Sequence, residues 1–513
     1  MLFRHSKSDL FLWALLFVLF FFFATLALYG IERILRRKSE GRRILPAFLS
    51  LIDPPPLAVA AFLVLCWLPY LIIYAPGLMN YDTVNQILDA LDGVAPVAFG
   101  FVEGQEEVNA LLNAHHPVFV SLLFAAFVRL GMLLGHPSLG VLLCCIFQMC
   151  LLSACIAYTL RILKELDVPA AGRNLLTLFF GLFPFVGYYA ITMLKNTIHS
   201  ALYIPWLCLF FLACLRPQLF SNQRKAFFIV LSILLCLTQN TGIYLVLLSG
   251  LGLLLCAKES RKTTIAALIS CSLLMFFLLP RILYPALNIY PGGKQEIYGT
   301  LFQQTAHYLR DYPEEITAEE KEAIAAVLDY DKITHVYATD TSDPVKATYN
   351  LHATKQERNA YLRTWAKMGL KHPGTYLQAT FTICGPFFTI GSFLDIFRQI
   401  PSHDGVFAQI DHYFAPGVYE GFTETYYALE HIPGIDLFFE YVFYTVWLPS
   451  GAAYVIRKKI GNNTPLLLLP SVVNALFLIV SPMVYSRYAL SLIFTTPILF
   501  VFARSLETRN HHP

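Results

Sequence analysis

The architectures open to this chain are limited above all by a succession of apolar runs about 20 residues long, the length a helix needs to cross a hydrocarbon core. Residues 10–29, 57–74 and 138–160 contain no Asp, Glu, Lys or Arg. Lipid offers no partner to backbone polar groups, so runs of this kind fold as spanning helices. Composition agrees: 57% of the 513 residues are hydrophobic and 14% are charged, against about a quarter charged in soluble domains. A net charge of +3 over this length gives no sign of nucleic-acid binding. Ten of the eleven cysteines lie within apolar runs and Cys384 lies in the polar half, which predicts neither a disulfide framework nor a cysteine metal site.

Sidedness follows from the basic residues, because short loops rich in Lys and Arg stay in the cytoplasm. The clusters Arg33 to Arg43, Arg161/Lys164/Arg173, Arg216/Arg224/Lys225, Lys258/Arg261/Lys262 and Arg457/Lys458/Lys459, with Arg504 and Arg509 in the tail, are all placed inside. The spans that connect them are 10–29, 57–74, 138–160, 174–193, 197–215, 263–284, 433–456, 464–483 and 488–504. Residues 226–257 are apolar but basic at both ends, which predicts a hairpin of two short helices about Gln239-Asn240-Thr241-Gly242. The first run lacks a cleavage site and reads as a retained helix. Two further stretches preserve this parity: 117–134 as a helix lying at the outer interface, and 376–397, with Gly385-Pro386 at its centre, as an interfacial or re-entrant element.

The expected fold is therefore an all-α polytopic membrane protein with about 11 transmembrane helices, in a range of about 10 to 13. Its N terminus is outside and its C terminus cytoplasmic. Four regions follow: 1–45, an extra helix and basic loop; 46–284, a transmembrane core with a first external loop at 75–137; 285–432, a mainly helical extracytoplasmic region with interfacial helices; and 433–513, the last spans and tail. In the third region Thr317-Ala318-Glu319-Glu320 is a capping box that starts an amphipathic helix running to Leu328.

Chemistry-bearing residues collect on the outer side. Val84, Ile87, Leu88 and Leu91 have helical spacing, which predicts a short helix ending before Gly93 with Asp82 as its N-cap and Gln86 and Asp89 on its polar face. A carboxylate there either caps the helix or, kept ionised by the helix dipole, also accepts a proton from a substrate. His115-His116-Pro117 closes the loop, with Pro117 suited to the first helical position and His116 to the cap. The two imidazoles either bind a phosphate, orient a nucleophile or form a polar helix start; no third ligand at a recognised spacing makes them a metal motif. Lys195 and Arg487, beside Tyr488, lie at outer turns that otherwise hold few cations. Snorkelling accounts for either one; together they also suit an anionic group in the outer headgroup layer.

These stretches resemble the GT-C class of membrane glycosyltransferases, which includes the protein O-mannosyltransferases and aminoarabinose transferases. Asp82 to Gln86, His115-His116-Pro117, Lys195-Asn196, Gln239 to Gly242, Ser342-Asp343-Pro344-Val345-Lys346 and Arg487-Tyr488 are similar to a bacterial family of uncharacterised multi-pass proteins grouped with those enzymes. The similarity runs from about residue 57 onward. It implies a polyprenyl-phosphate sugar donor and an envelope glycan, glycolipid or protein acceptor, with attack from the extracytoplasmic face of the cell membrane and inversion at the anomeric carbon. By position it implies Asp82 as catalytic base, Lys195 and Arg487 as phosphate cations, and Gln86, His115, His116 and Tyr488 as further substrate contacts. Thr83 replaces the second acid of the class's first-loop pair, and Lys195-Asn196 stands where other members have an acid. Those departures put a divalent metal, Mg or Mn, in doubt. The competing readings are a polysaccharide polymerase or ligase, a lipid-linked substrate transporter or flippase, and a purely structural membrane protein; transporters favour charges at the membrane midplane, whereas the spans expected here have almost none.

Overall fold

The computed structural model describes residues 53–92, 95–96, 107–108, 110–398, 400–401, 406, 408, 410, 412–413, 416–460 and 464–508. The expected span 10–29 and the basic stretch after it lie outside the described residues. The described chain is a helical membrane bundle carrying a smaller helical lobe. Among the described residues five helices are long and apolar enough to cross a membrane, or six if one bent pair counts as a span.

Helix α1, Pro56–Ile73, starts on proline, whose missing N–H costs nothing in a first turn. The chain then forms a two-residue strand, β1 (Leu78–Met79), and the amphipathic helix α2 (Tyr81–Asp92). Strands β2 (Ala95–Pro96) and β3 (Glu107–Val108) pair antiparallel, and β4 (Leu112–Asn113) leads to α3 (Val118–Leu133) and α4 (Pro137–Glu165). Helices α3 and α4 pack through Gly131 and Gly140; a Cβ on Gly140 would lie 2.2 Å from Phe127 O. Small residues at such a crossing let backbones meet closely, which is how helices associate where lipid supplies no hydrophobic drive. Helix α3 has 16 residues, and Phe119, Leu122, Leu130 and Leu133 are exposed along it.

In the run expected as a span at 174–193 two helices, α5 (Ala170–Leu182) and α6 (Pro184–Ala190), meet at a bend of 64°. Pro184 is the cause: it disfavours helical geometry at Phe183, which is extended at ψ 115°. Strand β5 (Thr192–Met193) pairs in parallel with β1 and leads into α7 (Lys195–Leu215), the most enclosed of the apolar helices long enough to cross a membrane among the described residues. It packs against α4 and against α8 (Asn222–Thr238). There Trp206 stacks on Phe228 at 5.3 Å and donates to Ser232 Oγ at 2.8 Å, a polar link of the kind that ties helices together in lipid. Helix α8 turns at Gln239 into α9 (Gly242–Cys256), as the hairpin reading expects. Helix α10 (Arg261–Leu273) continues through a π-helical stretch at Leu274–Leu283, which contains Pro280.

Strand β6 (Ile289–Tyr290) pairs in parallel with β4 and opens the lobe. The lobe is formed by α11 (Gln295–Asp311), α12 (Ala318–Ala325), α13 (Lys355–Lys371) and α14 (Pro373–Cys384) around Phe302, Tyr308, Ile324, Leu328 and Tyr361. Thr317 and Glu320 make both bonds of the expected capping box, and Thr354 with Glu357 makes a second. Helix α12 ends at Ala325, short of Leu328. The stretch 376–397 is not one element: α14 ends at Cys384, a 3₁₀ turn covers Gly385–Phe387, and the chain has no regular secondary structure from Leu394. Helix α15 (Pro416–Leu429) precedes the last three, α16 (Leu448–Ile460), α17 (Thr464–Ile479) and α18 (Ser486–Thr508). Residues 433–440 do not belong to the α-helix that the span 433–456 anticipates; Asp436–Phe439 is a 3₁₀ turn and Phe443–Trp447 a π turn.

Charge separates along the bundle. At one end Asp53 pairs with Lys164 at 2.5 Å and Arg173 at 2.6 Å, and Glu165 pairs with Arg224 at 2.6 Å. Arg216, at the end of α7, pairs there with Asp167. Lys195, which begins the same helix, lies at the opposite end.

Candidate functional site

The parallel pairing of β1 with β5 explains how the centre forms. It sets Leu78 beside Thr192 and Met79 beside Met193, so Lys195 and the start of α2 emerge side by side. Asn80, not Asp82, caps α2: its Oδ1 accepts from Thr83 N at 3.0 Å. The helix begins one residue before Asp82, which leaves that carboxylate clear of the capping bond. Thr83 Oγ1 lies 2.8 Å from both Asn80 Oδ1 and Met193 O, bolting α2 to β5. Gln148 grips the same turn from α4, its Nε2 within 2.6–3.2 Å of the carbonyls of Tyr189, Ala190 and Thr192.

Asp82 Oδ2 accepts from Arg487 Nη1 at 2.7 Å and lies 3.8 Å from Lys195 Nζ. Lys195 donates to His116 Nδ1 at 2.7 Å, which requires a neutral imidazole protonated on Nε2. His115 lies against His116, ring centroids 4.5 Å apart. Arg487, second in α18, also donates from Nη2 to Tyr488 OH at 3.0 Å, and its guanidinium lies 5.3 Å from the Tyr485 ring. Its Nε is buried and donates to no partner among the described residues. The side chains are partly open: Asp82 is 29% exposed, Lys195 16% and Arg487 10%.

Burial alone would raise the Asp82 carboxyl, but the charges of Arg487 and Lys195 outweigh it and hold the group well below the usual carboxylate range. Burial pushes both imidazoles down, and the ammonium of Lys195 pushes the same way. Both histidines are therefore neutral at neutral pH. Two cations thus face the one carboxylate of Asp82, and the charge of Glu296 from the lobe also reaches Lys195 and His115.

Five of the anticipated residues, Asp82, His116, Lys195, Arg487 and Tyr488, are linked directly, and His115 adjoins them. Gln86 is placed otherwise. It is 1% exposed, with Nε2 donating to Asp82 O at 2.9 Å and Oε1 accepting from Ser121 Oγ at 3.2 Å, so it joins α2 to α3. Pro117 occupies the position expected of His116, its carbonyl accepting from Val120 and Ser121, and α3 starts one residue later than anticipated. The α8–α9 turn reaches the same place: Asn240 Nδ2 donates to His115 O at 2.9 Å.

The lobe contributes Glu296, which the sequence did not single out, beside the stretch from Ser342 to Lys346. Glu296 pairs with Lys346 at 2.7 Å, and Lys346 with Asp343 at 2.7 Å. Ser342 N donates at 2.9 Å to Pro482 O, in the turn that precedes α18, while Ala114 N donates to Tyr290 O at 2.8 Å. The lobe is thus fastened on both the histidine side and the arginine side. Gln148 had a local signal, an amide inside an apolar helix; Glu296 had none.

One carboxylate flanked by two cations does not suit a divalent metal, whose charge the cations already supply. Among the described residues no group of three or more His, Cys, Asp or Glu is arranged to hold one. The profile of a family of unknown function, DUF6020, matches residues 32–512. No curated protein and no solved structure matches the chain.

Proposed function

The chain belongs to the DUF6020 family, and from its charged centre we propose that it is a membrane glycosyltransferase using a polyprenyl-phosphate sugar donor. One observation carries this reading: Arg487 and Lys195, from two different spans, converge on Asp82, and Arg487 retains a buried donor with no partner among the described residues. A phosphodiester carries one negative charge and several acceptor oxygens, which suits two convergent cations and the unpartnered Nε. The positive-inside pattern supports a centre on the extracytoplasmic face. About eleven crossings and a GT-C-like arrangement complete the proposal.

The resting centre is a weak base, because its carboxylate is bound to the cations. The donor phosphate takes over Arg487 and Lys195, and Asp82 regains basicity as they leave it. The acceptor hydroxyl oxygen then attacks the anomeric carbon, its proton passes to Asp82, and the bond from that carbon to the phosphate oxygen breaks with its electron pair on the phosphate. The two cations stabilise that leaving group. Attack opposite the leaving group inverts the carbon.

The test is release of polyprenyl phosphate from a polyprenyl-phosphate sugar by the purified protein in nanodiscs. Release by the native chain, abolished in Asp82→Asn at unchanged expression, is the expected result. Undiminished release in that variant removes Asp82 from the mechanism.

A further inference from the structure

The first turn of α18 is held from a side that the charged centre does not use. Asp395 Oδ1 accepts from Ser486 N and from Tyr441 OH, each at 2.6 Å, and Tyr441 OH lies 2.8 Å from Ser486 Oγ. The stretch bearing Asp395 is itself pinned. Leu394 N donates to Phe439 O at 2.7 Å, Tyr441 N to Ser392 O at 3.1 Å, and Tyr426 OH to Leu394 O at 2.9 Å. From α6, Tyr189 OH donates to Asp395 O at 3.3 Å. One carboxylate therefore joins its own segment and that of Tyr441 to the residue immediately before Arg487.

A carboxylate at a helix start satisfies a first-turn N–H and opposes the dipole. A local Thr does the same for α12 and α13 from within three residues. Here the acceptor comes from 91 residues away, so it fixes the helix start relative to the rest of the outer surface as well as closing the turn. Helix α7, which presents Lys195, is also held from a distance, Gln148 Oε1 accepting from Leu194 N at 3.4 Å, so a remote side chain fixes the start of each helix that brings a cation to Asp82. Arg487 makes two directed bonds, to Asp82 and to Tyr488 OH. A shift of about 1 Å in its backbone would take a 2.7 Å contact beyond hydrogen-bond range.

We propose that Asp395 is the positioning residue for Arg487: it sets the angle at which the guanidinium enters the centre and does not itself touch the ligand. The proposal rests on the reading of that centre as a phosphate site. Its test is a double-mutant cycle on the full chain in nanodiscs, with undecaprenyl phosphate as the probe and binding as the readout. Asp395→Ala is expected to weaken binding by roughly tenfold, and Asp395→Glu to recover part of the loss. In an Arg487→Ala background the same Asp395→Ala change should alter binding by less than about twofold, because its effect passes through the arginine. Losses that multiply in the double variant, or native binding by Asp395→Ala, overturn the proposal. Should Asp395→Ala not fold, Tyr441→Phe removes one of the two donors and runs through the same cycle, with the same results supporting or overturning the role. Hydrogen exchange separates this inference from the functional one. If the native chain binds no undecaprenyl phosphate, the phosphate reading fails; faster exchange of the 486–488 amides in Asp395→Ala or Tyr441→Phe still supports the positioning role, and unchanged exchange overturns it.

Discussion

Replacing Asp82 by Asn should tighten the hold on a polyprenyl phosphate while stopping transfer. The variant keeps the shape of the side chain and removes the negative charge that both cations now face. With the carboxylate 2.7 Å from Arg487 and 3.8 Å from Lys195, the gross attractions are about 6 and about 4 kcal/mol at an effective dielectric near 20. Desolvation cancels much of this, and removing one partner of a buried pair costs about 3–5 kcal/mol. The ligand-free variant should therefore unfold at a lower temperature than the native chain. A phosphate no longer has to displace the carboxylate, so its affinity should rise by roughly tenfold, or about 1.4 kcal/mol. Bound ligand should then restore much of the lost thermal stability by mass action. Transfer, deprived of its base, should fall by about 100- to 10,000-fold. Native mass spectrometry with undecaprenyl phosphate, thermal unfolding with and without it, and a release assay read the three effects. Weaker binding in Asp82→Asn would refute the exchange of carboxylate for phosphate, and unchanged turnover would refute the base.

Arg487→Lys keeps the charge but loses the fork that reaches Asp82 and Tyr488 together, so undecaprenyl phosphate binding should fall by roughly tenfold; equal affinity would show that charge alone suffices. Burial holds both His115 and His116 below the ordinary value of about 6.5. The unfolded chain binds more protons below that value, so thermal stability should decline as pH falls from about 7 toward 5, and His116→Gln should flatten the decline. Asp82, whose carboxyl is likewise held low, contributes stability that is lost only below the ordinary carboxylate range and leaves this window unaffected. Gly140→Ala puts a Cβ 2.2 Å from Phe127 O, so it should part α3 from α4 and lower the yield of folded protein; normal expression and melting would contradict the close crossing. In a background with Cys150 and Cys256 replaced by Ser, Asn240→Cys should react with an impermeant maleimide on intact cells and Lys458→Cys should not; the reverse pattern would invert the proposed sidedness.

Much of the helical framework is legible in the chain because it depends on local properties. Helices α1, α4 and α7 start within two residues of the expected spans, and the polar tetrad at Gln239 marks its hairpin because no apolar helix keeps such residues facing lipid. The bend at Pro184 is also written in the chain, but a run of apolar residues reads the same whether straight or broken. The cap of α2 escapes a local reading for a similar reason: Asn80 and Asp82 are both good caps, and Thr83 chooses Asn80 through a contact with Met193, a residue 110 positions away.

Residue order is enough to say that the chain lives in a membrane, that its basic ends collect on one side, and which isolated polar residues remain on the other. Each of these is a sum over local transfer free energies and needs no partner. Folding in three dimensions was required to bring Asp82 to Arg487, to turn Lys195 toward His116, to give Gln86 to the scaffold and to carry Asp395 to the start of α18. Those outcomes depend on a two-residue strand pairing and on contacts between segments far apart in the chain, where a shift of about one hydrogen-bond length changes the partner.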